Sequence, residues 1–394
     1  MPTLRPLISL LLLATVAGCS NGGAGPAVEA TLSPAAALGE KMFRDVSLSA
    51  SGRMACTTCH NPALAHASNT ATVAGGPNLT TPGFRNPPSL RYIDQTPAFA
   101  ITEDGALGGF DRDGRVASLA EQARAPLLAA HEMANGTAAA FANRLQQAAY
   151  VNEFRAVFGN DVFNDPEVAL DRATFALQRY QLEDEDFHPF NSKYDAFLQG
   201  RATLSDQELR GLAAFNNPQK GGCAECHPSG RGDGGSLPLF TDFHYDNLGV
   251  PRNPEIAATA DPAYYDLGLC GPDRTDLANQ RDLCGQFKTP TLRNIALTAP
   301  YFHNGRFASL RDAISFYVRR DTNPETWYPL GADGLPRKFD DVPPPDADGF
   351  DYRSIVNTSE VPYDRKPGEL PRLSESEIDD LVAFLNTLND GYTP

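Results

Sequence analysis

The sequence has little positive charge, few methionines and a single tryptophan. Its 33 Lys and Arg residues against 49 Asp and Glu give a formal net charge of −16, which disfavours nucleic acid as a partner and favours a basic or neutral protein surface. No alternating apolar pattern is long enough to build a sheet, so the chain is expected to be mainly α. The 33 Gly and 32 Pro residues predict long loops between its helices.

The N-terminal hydrophobic run, residues 7–16, is too short to cross a bilayer as a helix. Arg5 precedes it, and the sequence up to Cys19 resembles a bacterial lipoprotein cleavage site, so residues 1–18 are predicted to be a signal peptide and Cys19 the lipidated N terminus. Ser20 at the next position resembles the sorting signal of outer-membrane lipoproteins, and residues 19–32 are expected to form a tether. The alternative is an ordinary secretory peptide with an unmodified Cys19. Either way, we expect the protein in the periplasm.

The pattern Cys-x-x-Cys-His occurs twice, ending at His60 and at His227. Two cysteines at this spacing can each bond a vinyl group of one haem, and the following histidine then faces the iron. The alternatives are a zinc site, whose distant pairs would have to converge, and a thioredoxin-like redox pair, which gives no reason for the histidines. We therefore predict two covalently bound haem c groups, held by Cys56, Cys59, His60, Cys223, Cys226 and His227.

Two cysteines remain once Cys19 and the four haem cysteines are set aside, namely Cys270 and Cys284. Disulfides form in oxidising compartments such as the periplasm. We therefore expect these two cysteines to be joined.

The helix before each haem motif has the same spacing of glycine and phenylalanine. Gly39 precedes Phe43 by four residues, as Gly211 precedes Phe215. A glycine at this position would let two helix backbones approach closely, and the phenylalanine would face the core. This weak internal repeat indicates that each half is a cytochrome c-like helical unit.

The repeat divides the mature chain into two predicted haem domains, residues 33–200 and 201–394. Ser33 and Ser205 are the expected N-caps of the helices that precede the haem motifs. Capping residues and apolar periodicity predict further helices at residues 118–128, 137–158 with a break near Tyr150, 166–182, 309–318 and from 374 onward.

The second haem has no methionine of its own domain available as a further axial ligand, because the last of the four methionines is Met133. The candidates are His244, His303 and a tyrosine. Tyr317 shares the apolar face of a predicted helix with Leu310, seven residues before it. From periodicity alone, a core tyrosine is the expected role, since phenolate ligands are rare.

Two stretches resemble the signature of bacterial dihaem cytochrome c peroxidases and of MauG: Phe287-Lys-Thr-Pro-Thr-Leu-Arg-Asn294 and Thr298-Ala-Pro-Tyr-Phe-His-Asn-Gly305. In that superfamily the residue fourteen beyond the motif's histidine is an axial ligand of the second haem, methionine in the peroxidases and tyrosine in MauG. That residue is Tyr317 here. The resemblance therefore implies a phenolate ligand, which disfavours reduction of the iron and lets it hold an oxidising equivalent.

The first half resembles the peroxide pocket of the family, where a glutamine and a glutamate ten residues apart line the open side of the first haem. Gln122 and Glu132 keep that interval. The resemblance implies that Glu132 transfers protons of bound peroxide and that Gln122 orients it. Without the resemblance, both would be read as helix-surface residues.

Many of these peroxidases plug the first haem with a loop histidine, and the corresponding loop here, residues 74–85, contains no histidine. The first iron is therefore predicted to be open. His66 is expected at the surface. His131, beside Glu132, is the candidate for a pocket or ligating histidine.

The resemblance also implies a calcium ion between the haems, bound by the side chain of Asn86 and the carbonyl oxygens of Thr298 and Pro300. Two residues depart from the family pattern. Arg112 stands where the family has a tryptophan between the haems, and Gly221 stands where MauG has a surface tryptophan. Charge would then cross by another route, such as Phe110 or a haem propionate. Trp327 is a candidate exit for oxidising equivalents, with a structural role as the alternative.

Residues 317–328 and 361–369 look most like the MbnH-type subgroup, MauG relatives paired with a copper-binding MbnP-type protein in which they convert a tryptophan to kynurenine. The predicted function is therefore a peroxidase-like oxidoreductase that uses hydrogen peroxide to oxidise a residue, tryptophan by preference, on such a partner through a high-valent dihaem state. The first alternative is a peroxidase that draws electrons from a small redox protein. The second is a non-catalytic dihaem electron-transfer protein.

Overall fold

The computed structural model describes residues 31–358 and 365–393. The predicted signal peptide, residues 1–18, and most of the predicted tether lie outside these ranges, as do residues 361–364 of the second subgroup stretch. Within the two described ranges, no helix is both long and apolar enough to cross a membrane.

Helices make up most of the regular structure, which confirms the predicted mainly α fold. They are α1 Pro34–Arg44, α2 Cys56–Cys59, α3 Leu119–Leu128, α4 Ala138–Leu145, α5 Val151–Phe158, α6 Pro166–Glu183, α7 Lys193–Leu198, α8 Asp206–Asn216, α9 Leu310–Arg319 and α10 Glu375–Asn386. The strands pair antiparallel, β1 Ala74–Gly75 with β2 Thr81–Pro82, β3 Ala100–Thr102 with β4 Gly105–Leu107, and β5 Tyr245–Asp246 with β6 Phe287–Lys288. Long loops with short 3-10 turns connect these elements, as the glycine and proline content predicts.

Polar caps start the helices where the sequence predicts them. The Ser33 hydroxyl accepts a hydrogen bond from a backbone N–H of the first turn of α1. Ser205 and Glu208 form a reciprocal capping box at the start of α8, and Ser374 begins α10 in the same way. The predicted break near Tyr150 is present, because α4 and α5 are separate helices.

Each haem motif follows a helix that is held against a second helix by a glycine. A Cβ atom on Gly39 of α1 would lie 2.1 Å from the carbonyl oxygen of Ala176 in α6. A Cβ atom on Gly211 of α8 would lie 2.0 Å from the carbonyl oxygen of Asp380 in α10. The phenylalanine four residues after each glycine is buried. The predicted close helix contact is therefore confirmed in both halves.

Most of the buried apolar residues form clusters on one side or the other of residue 190, while a small fourth cluster packs Ala106 against Leu269 and Leu277. The first cluster runs from Leu38 to Phe187 and includes α1, α4 and α6. The second runs from Tyr194 to Leu388 and includes α8 and α10. A third, made mainly by the loops around α9, runs from Val250 to Val356. The domain boundary near residue 200 stays a prediction.

Cys270 and Cys284 form the predicted disulfide, with their Cα atoms 4.9 Å apart. The bridge lies within the third cluster and both cysteines are buried. The bridge closes a polar loop, residues 271–283, which lies between β5 and β6 in the sequence.

Candidate functional site

The second Cys-x-x-Cys-His motif places a neutral histidine at the edge of a cavity. His227 Nδ1 lies 2.7 Å from the carbonyl oxygen of Phe240. Because a carbonyl can only accept, Nδ1 carries the proton and Nε2 keeps its lone pair. Burial lowers the pKa of His227, so the ring stays neutral. This is the protonation state that a metal-ligating histidine needs.

The cavity has a volume of about 330 Å³, and Cys223, Cys226, His227 and Tyr317 all line it. Burial raises the pKa of Tyr317, and the nearby thiols of Cys226 and Cys223 raise it further. The phenol is therefore neutral until a cation such as a ferric iron replaces its proton. The structure thus brings together the two cysteines, the histidine and the tyrosine that the sequence predicts for the second haem.

The first motif holds its histidine in the same way. His60 follows α2, and its Nδ1 lies 3.2 Å from the carbonyl oxygen of His66 and 3.1 Å from that of Pro88. Burial lowers the pKa of His60 to about 4, which leaves Nε2 unprotonated and available to a metal. The four motif cysteines form no disulfide with one another, so each can bond a vinyl group of a cofactor. Both motifs therefore fit a covalently attached haem.

Glu132 belongs to the surroundings of the first motif. Burial raises the pKa of Cys59 to about 12, and the carboxylate of Glu132 adds to that rise. Burial and the charge of Asp111 raise the pKa of Glu132 itself to about 7. A carboxyl with this pKa can both accept and donate a proton near neutral pH.

Gln122, on α3, lines the same cavity as Tyr317. Its side-chain amide has no hydrogen-bond partner among the residues that the structure describes, and neither has the carboxyl of Glu132. No hydrogen bond joins these two side chains in the described part of the chain. Their shared role at bound peroxide stays a prediction.

The prediction that His66 lies at the surface is wrong. Its side chain is buried because residues far along the chain cover it: the ring stacks on Phe187 at 4.3 Å, and Nε2 lies 2.7 Å from Asp186 Oδ2. His131 packs against Phe84 with ring centroids 5.1 Å apart, and burial lowers its pKa. The role of His131 as a ligand or pocket residue of the first haem stays a prediction.

The two histidines that are the other candidate ligands of the second haem are less well placed to bind its iron than Tyr317. His303 lines the cavity, but its ring stacks on Phe287 at 3.7 Å and its Nε2 lies 3.3 Å from Asp341 Oδ2. His244 is not among the residues that line the cavity. This geometry favours Tyr317 as the axial ligand, since the nitrogen that His303 would offer faces a carboxylate.

A buried network of charges joins the two halves beside the cavity, and sequence reasoning missed most of it. Arg85 Nη1 donates to Asp113 Oδ2 at 2.6 Å, and Arg85 Nε donates to Asp266 Oδ2 at 2.6 Å. Both carboxylates are buried. Arg85 and Asp266 are separated by 181 residues, so no spacing in the sequence indicates that they meet.

Two further cations line the cavity itself. Arg112 donates to Asn86, and Lys288 donates to the carbonyl oxygen of Gly109. Burial lowers the pKa of Arg112 to about 10, with repulsion from Arg85 adding to the effect, and burial lowers the pKa of Lys288 to about 8. Buried cations beside a cavity of this kind suit the carboxylates of a cofactor.

Packing around Gly221 explains why no larger residue stands there. A Cβ atom on Gly221 would lie 2.7 Å from the carbonyl oxygen of Ala214 and 3.2 Å from Cys223 Sγ. A tryptophan at this position would therefore collide with α8 and with the haem motif.

A family model described as "Di-haem cytochrome c peroxidase" matches residues 33–203. The methylamine utilization protein MauG of Paracoccus denitrificans is 35% identical over 99% of this chain and 96% of its own length. The cytochrome c551 peroxidase of Nitrosomonas europaea is 33% identical over 74% of this chain and 74% of its own length.

Solved structures agree with these sequence matches. The dihaem peroxidase BthA from Burkholderia thailandensis has a TM-score of 0.81 at 39% identity, covering 91% of this chain and 86% of its own. A MauG-like protein associated with microbial copper homeostasis has a TM-score of 0.62 at 25% identity, covering 95% of this chain and 96% of its own.

Proposed function

Because the chain belongs to the di-haem cytochrome c peroxidase and MauG family, we propose that it uses hydrogen peroxide to oxidise a residue of a partner protein. Membership of this family makes the chain a haem-dependent oxidoreductase with two haem c groups. Tryptophan is the proposed target. The observation that carries this proposal is Tyr317 in the cavity of His227, in a chain without a methionine after Met133. A phenolate favours the higher oxidation states of iron, whereas a thioether favours reduction.

The haem groups supply the redox chemistry when bound, and the side chains set its direction. His60 and His227 each present Nε2 from a ring whose Nδ1–H is held by a backbone carbonyl. In this proposal Glu132 takes a proton from peroxide and returns it to the departing oxygen, and Gln122 orients the peroxide. Peroxide then takes up two electrons and two protons to give two water molecules, and the partner loses the two electrons.

Similarity to the MauG-like protein associated with copper homeostasis supports a partner of the copper-binding MbnP type. Residues 317–328 of the subgroup resemblance lie in α9 and the turn after it, close to the cavity. The net charge of −16 favours a partner with a neutral or basic surface.

The alternative is a peroxidase that draws both electrons from a small redox protein. It is favoured by the family description and by the relative named cytochrome c551 peroxidase. The purely electron-transferring alternative has less support, because the relatives are named as enzymes or as MauG.

The calcium ion stays a prediction. Asn86, Thr298 and Pro300 line the same cavity, but Asn86 Oδ1 already accepts a hydrogen bond from Arg112 Nη2 at 2.7 Å. In the described ranges, no cluster of three or more His, Cys, Asp and Glu side chains could hold a metal ion. Calcium at Asn86 would therefore require the Arg112 side chain to move away.

The proposed location is the periplasm, with the chain held at the outer membrane by a lipid on Cys19. This proposal rests on the sequence of residues 1–20 alone, since they lie outside the described ranges. Labelling with radioactive palmitate and the position of the first residue of the mature protein would test it.

The function is tested by adding peroxide to the ferric enzyme with an MbnP-type protein and measuring the intact mass of that protein. With the native enzyme we expect the mass of the partner protein to change. With the Tyr317→Met variant we expect the mass of the partner protein to stay the same. Tyr150→Phe is the matched control, because Tyr150 is buried in the first cluster and does not line the cavity. Equal modification by Tyr317→Met and the native enzyme would show that the role given to Tyr317 is wrong.

A further inference from the structure

Trp327 is the single tryptophan of the chain and lies after α9, behind a 3-10 turn at Pro324–Thr326. Its indole packs edge-on against Phe316, with ring centroids 5.9 Å apart, and against Phe307 at 5.7 Å. The side chain is partly exposed to solvent. It is therefore an aromatic ring that touches both the core of the third cluster and the surface.

The rings that contact Trp327 continue to Tyr317 along two branches. Phe316 lies 6.3 Å from Tyr317 by ring centroid. On the second branch, Phe307 lies 5.4 Å from Phe302, and Phe302 lies 5.6 Å from Tyr317. Every step between neighbouring rings is thus 6.3 Å or less. Tyr317 itself lines the cavity with His227, so the chain of rings runs from the second haem site to the surface.

Electron transfer through protein weakens steeply with each added ångström, and it favours stations that can be oxidised. Tryptophan and tyrosine can lose an electron under strongly oxidising conditions, whereas phenylalanine serves only as the medium between them. Trp327 and Tyr317 are therefore the two stations of this path, and the phenylalanines shorten the gap between them.

The surroundings of the indole N–H of Trp327 should make its one-electron-oxidised form a strong oxidant. Trp327 Nε1 is buried and has no hydrogen-bond partner in the described part of the chain. An indole with no proton acceptor keeps its proton when it loses an electron. It then carries a positive charge and takes an electron back from a donor more readily than a neutral radical does.

We propose that Trp327 is the exit through which oxidising equivalents leave the second haem site for the partner protein. One electron at a time passes from an aromatic residue of the partner to Trp327, and onward past Phe316 to Tyr317 and the haem it faces. Two such transfers balance the reduction of one peroxide to two water molecules with two protons. This inference rests on the proposed function, and it places the site of partner contact at the face where Trp327 reaches solvent.

The test needs no partner, because without one the electron vacancy remains on the exit residue. The holoenzyme is produced with ring-deuterated tryptophan, which labels Trp327 alone, and is treated with peroxide. Freeze-quench EPR should then show a radical whose hyperfine pattern changes with the label. Peptide mapping should find oxygen added to Trp327 in at least ten times the yield found at any surface tyrosine.

The variant Trp327→Phe should lose the label-dependent radical, while the optical change of its haems on adding peroxide matches that of the native enzyme. Tyr352→Phe is the control, since Tyr352 belongs to the same cluster and, in the described part of the chain, its ring packs against Phe350 and not against Trp327 or Tyr317. A radical that does not respond to the label, together with an unoxidised Trp327, would overturn the inference. Failure of the proposed function is seen separately, as an unmodified partner in the intact-mass experiment.

Discussion

Arg112 holds Asn86 by two hydrogen bonds, from Nε to the backbone oxygen at 2.9 Å and from Nη2 to Oδ1 at 2.7 Å. Asn86 Oδ1 is also the oxygen that the family resemblance assigns to calcium. Two unit charges 4 Å apart repel by roughly 4 kcal/mol at an effective dielectric constant of about 20, and calcium carries two. A guanidinium and a calcium ion at this oxygen therefore exclude each other.

Replacing Arg112 should open the calcium site. We expect Arg112→Gln to bind calcium at least about tenfold more tightly than the native protein, since about 1.4 kcal/mol of relieved repulsion suffices for that factor. Isothermal titration of the calcium-free holoenzyme measures the affinity. Arg155→Gln is the control, because Arg155 does not line the cavity and its guanidinium donates to the carbonyl oxygen of Asn160. Tight stoichiometric calcium in the native protein would contradict the exclusion.

The reaction with peroxide should depend on pH through Glu132. Its pKa is raised to about 7 by burial and by Asp111, so the carboxyl is protonated below pH 7 and cannot accept a proton there. The rate, measured by stopped flow, should therefore fall about tenfold per pH unit below that value and level off above it.

Two variants separate Glu132 from other titrating groups. Glu132→Gln should slow the reaction by about 10²–10⁴-fold and remove the pH dependence. Asp111→Asn should move the profile to lower pH, because it removes the neighbouring negative charge. An unchanged profile in Asp111→Asn would assign the pH dependence to another group.

The axial ligand should set the potential of the second haem. Tyr317→Met is expected to raise its reduction potential by roughly 0.1 V or more, within the ~0.8 V range that axial ligands span. Spectroelectrochemical titration measures the change, and Tyr150→Phe should leave the potential where it is. If Tyr317→Met and the native protein titrate alike, the tyrosine does not bind the iron.

The glycine contacts between helices should be costly to fill. Gly211→Ala places a methyl group 2.0 Å from the Asp380 carbonyl oxygen, so α8 and α10 must separate. We expect the free energy of unfolding to fall by about 1–3 kcal/mol or more. Gly230→Ala is the matched control, because a Cβ atom there meets nothing within 4 Å. Denaturant titration of both holoproteins should show a loss in Gly211→Ala alone.

Local patterns in the sequence were enough to predict most of the helices, although α2 and α7 were not among them, and the count of cysteines was enough to predict the disulfide. Ser205 with Glu208 predicts the start of α8 because a capping box satisfies the backbone N–H groups of the first turn. Gly211 predicts a close helix contact for a reason that is equally local. These signals lie within a few residues of the feature that they predict.

Contacts between distant segments could not be predicted in this way. His66 was expected at the surface because only its neighbours in sequence were considered, and it is buried by Asp186 and Phe187. Arg85 gave no signal at all, since its two carboxylate partners come from different halves of the chain. The role of Tyr317 as an iron ligand was predicted only by family resemblance, because periodicity alone favours an ordinary core tyrosine.

The packing of Trp327 also gives the protein an intrinsic optical probe of its own maturation. A single indole in ring contact with Phe316, one ring away from the tyrosine that lines the cavity of His227, should lose emission by energy transfer once a porphyrin is attached nearby. Fluorescence at tryptophan wavelengths therefore reports attachment of haem, and its loss can be compared with the gain in haem absorbance.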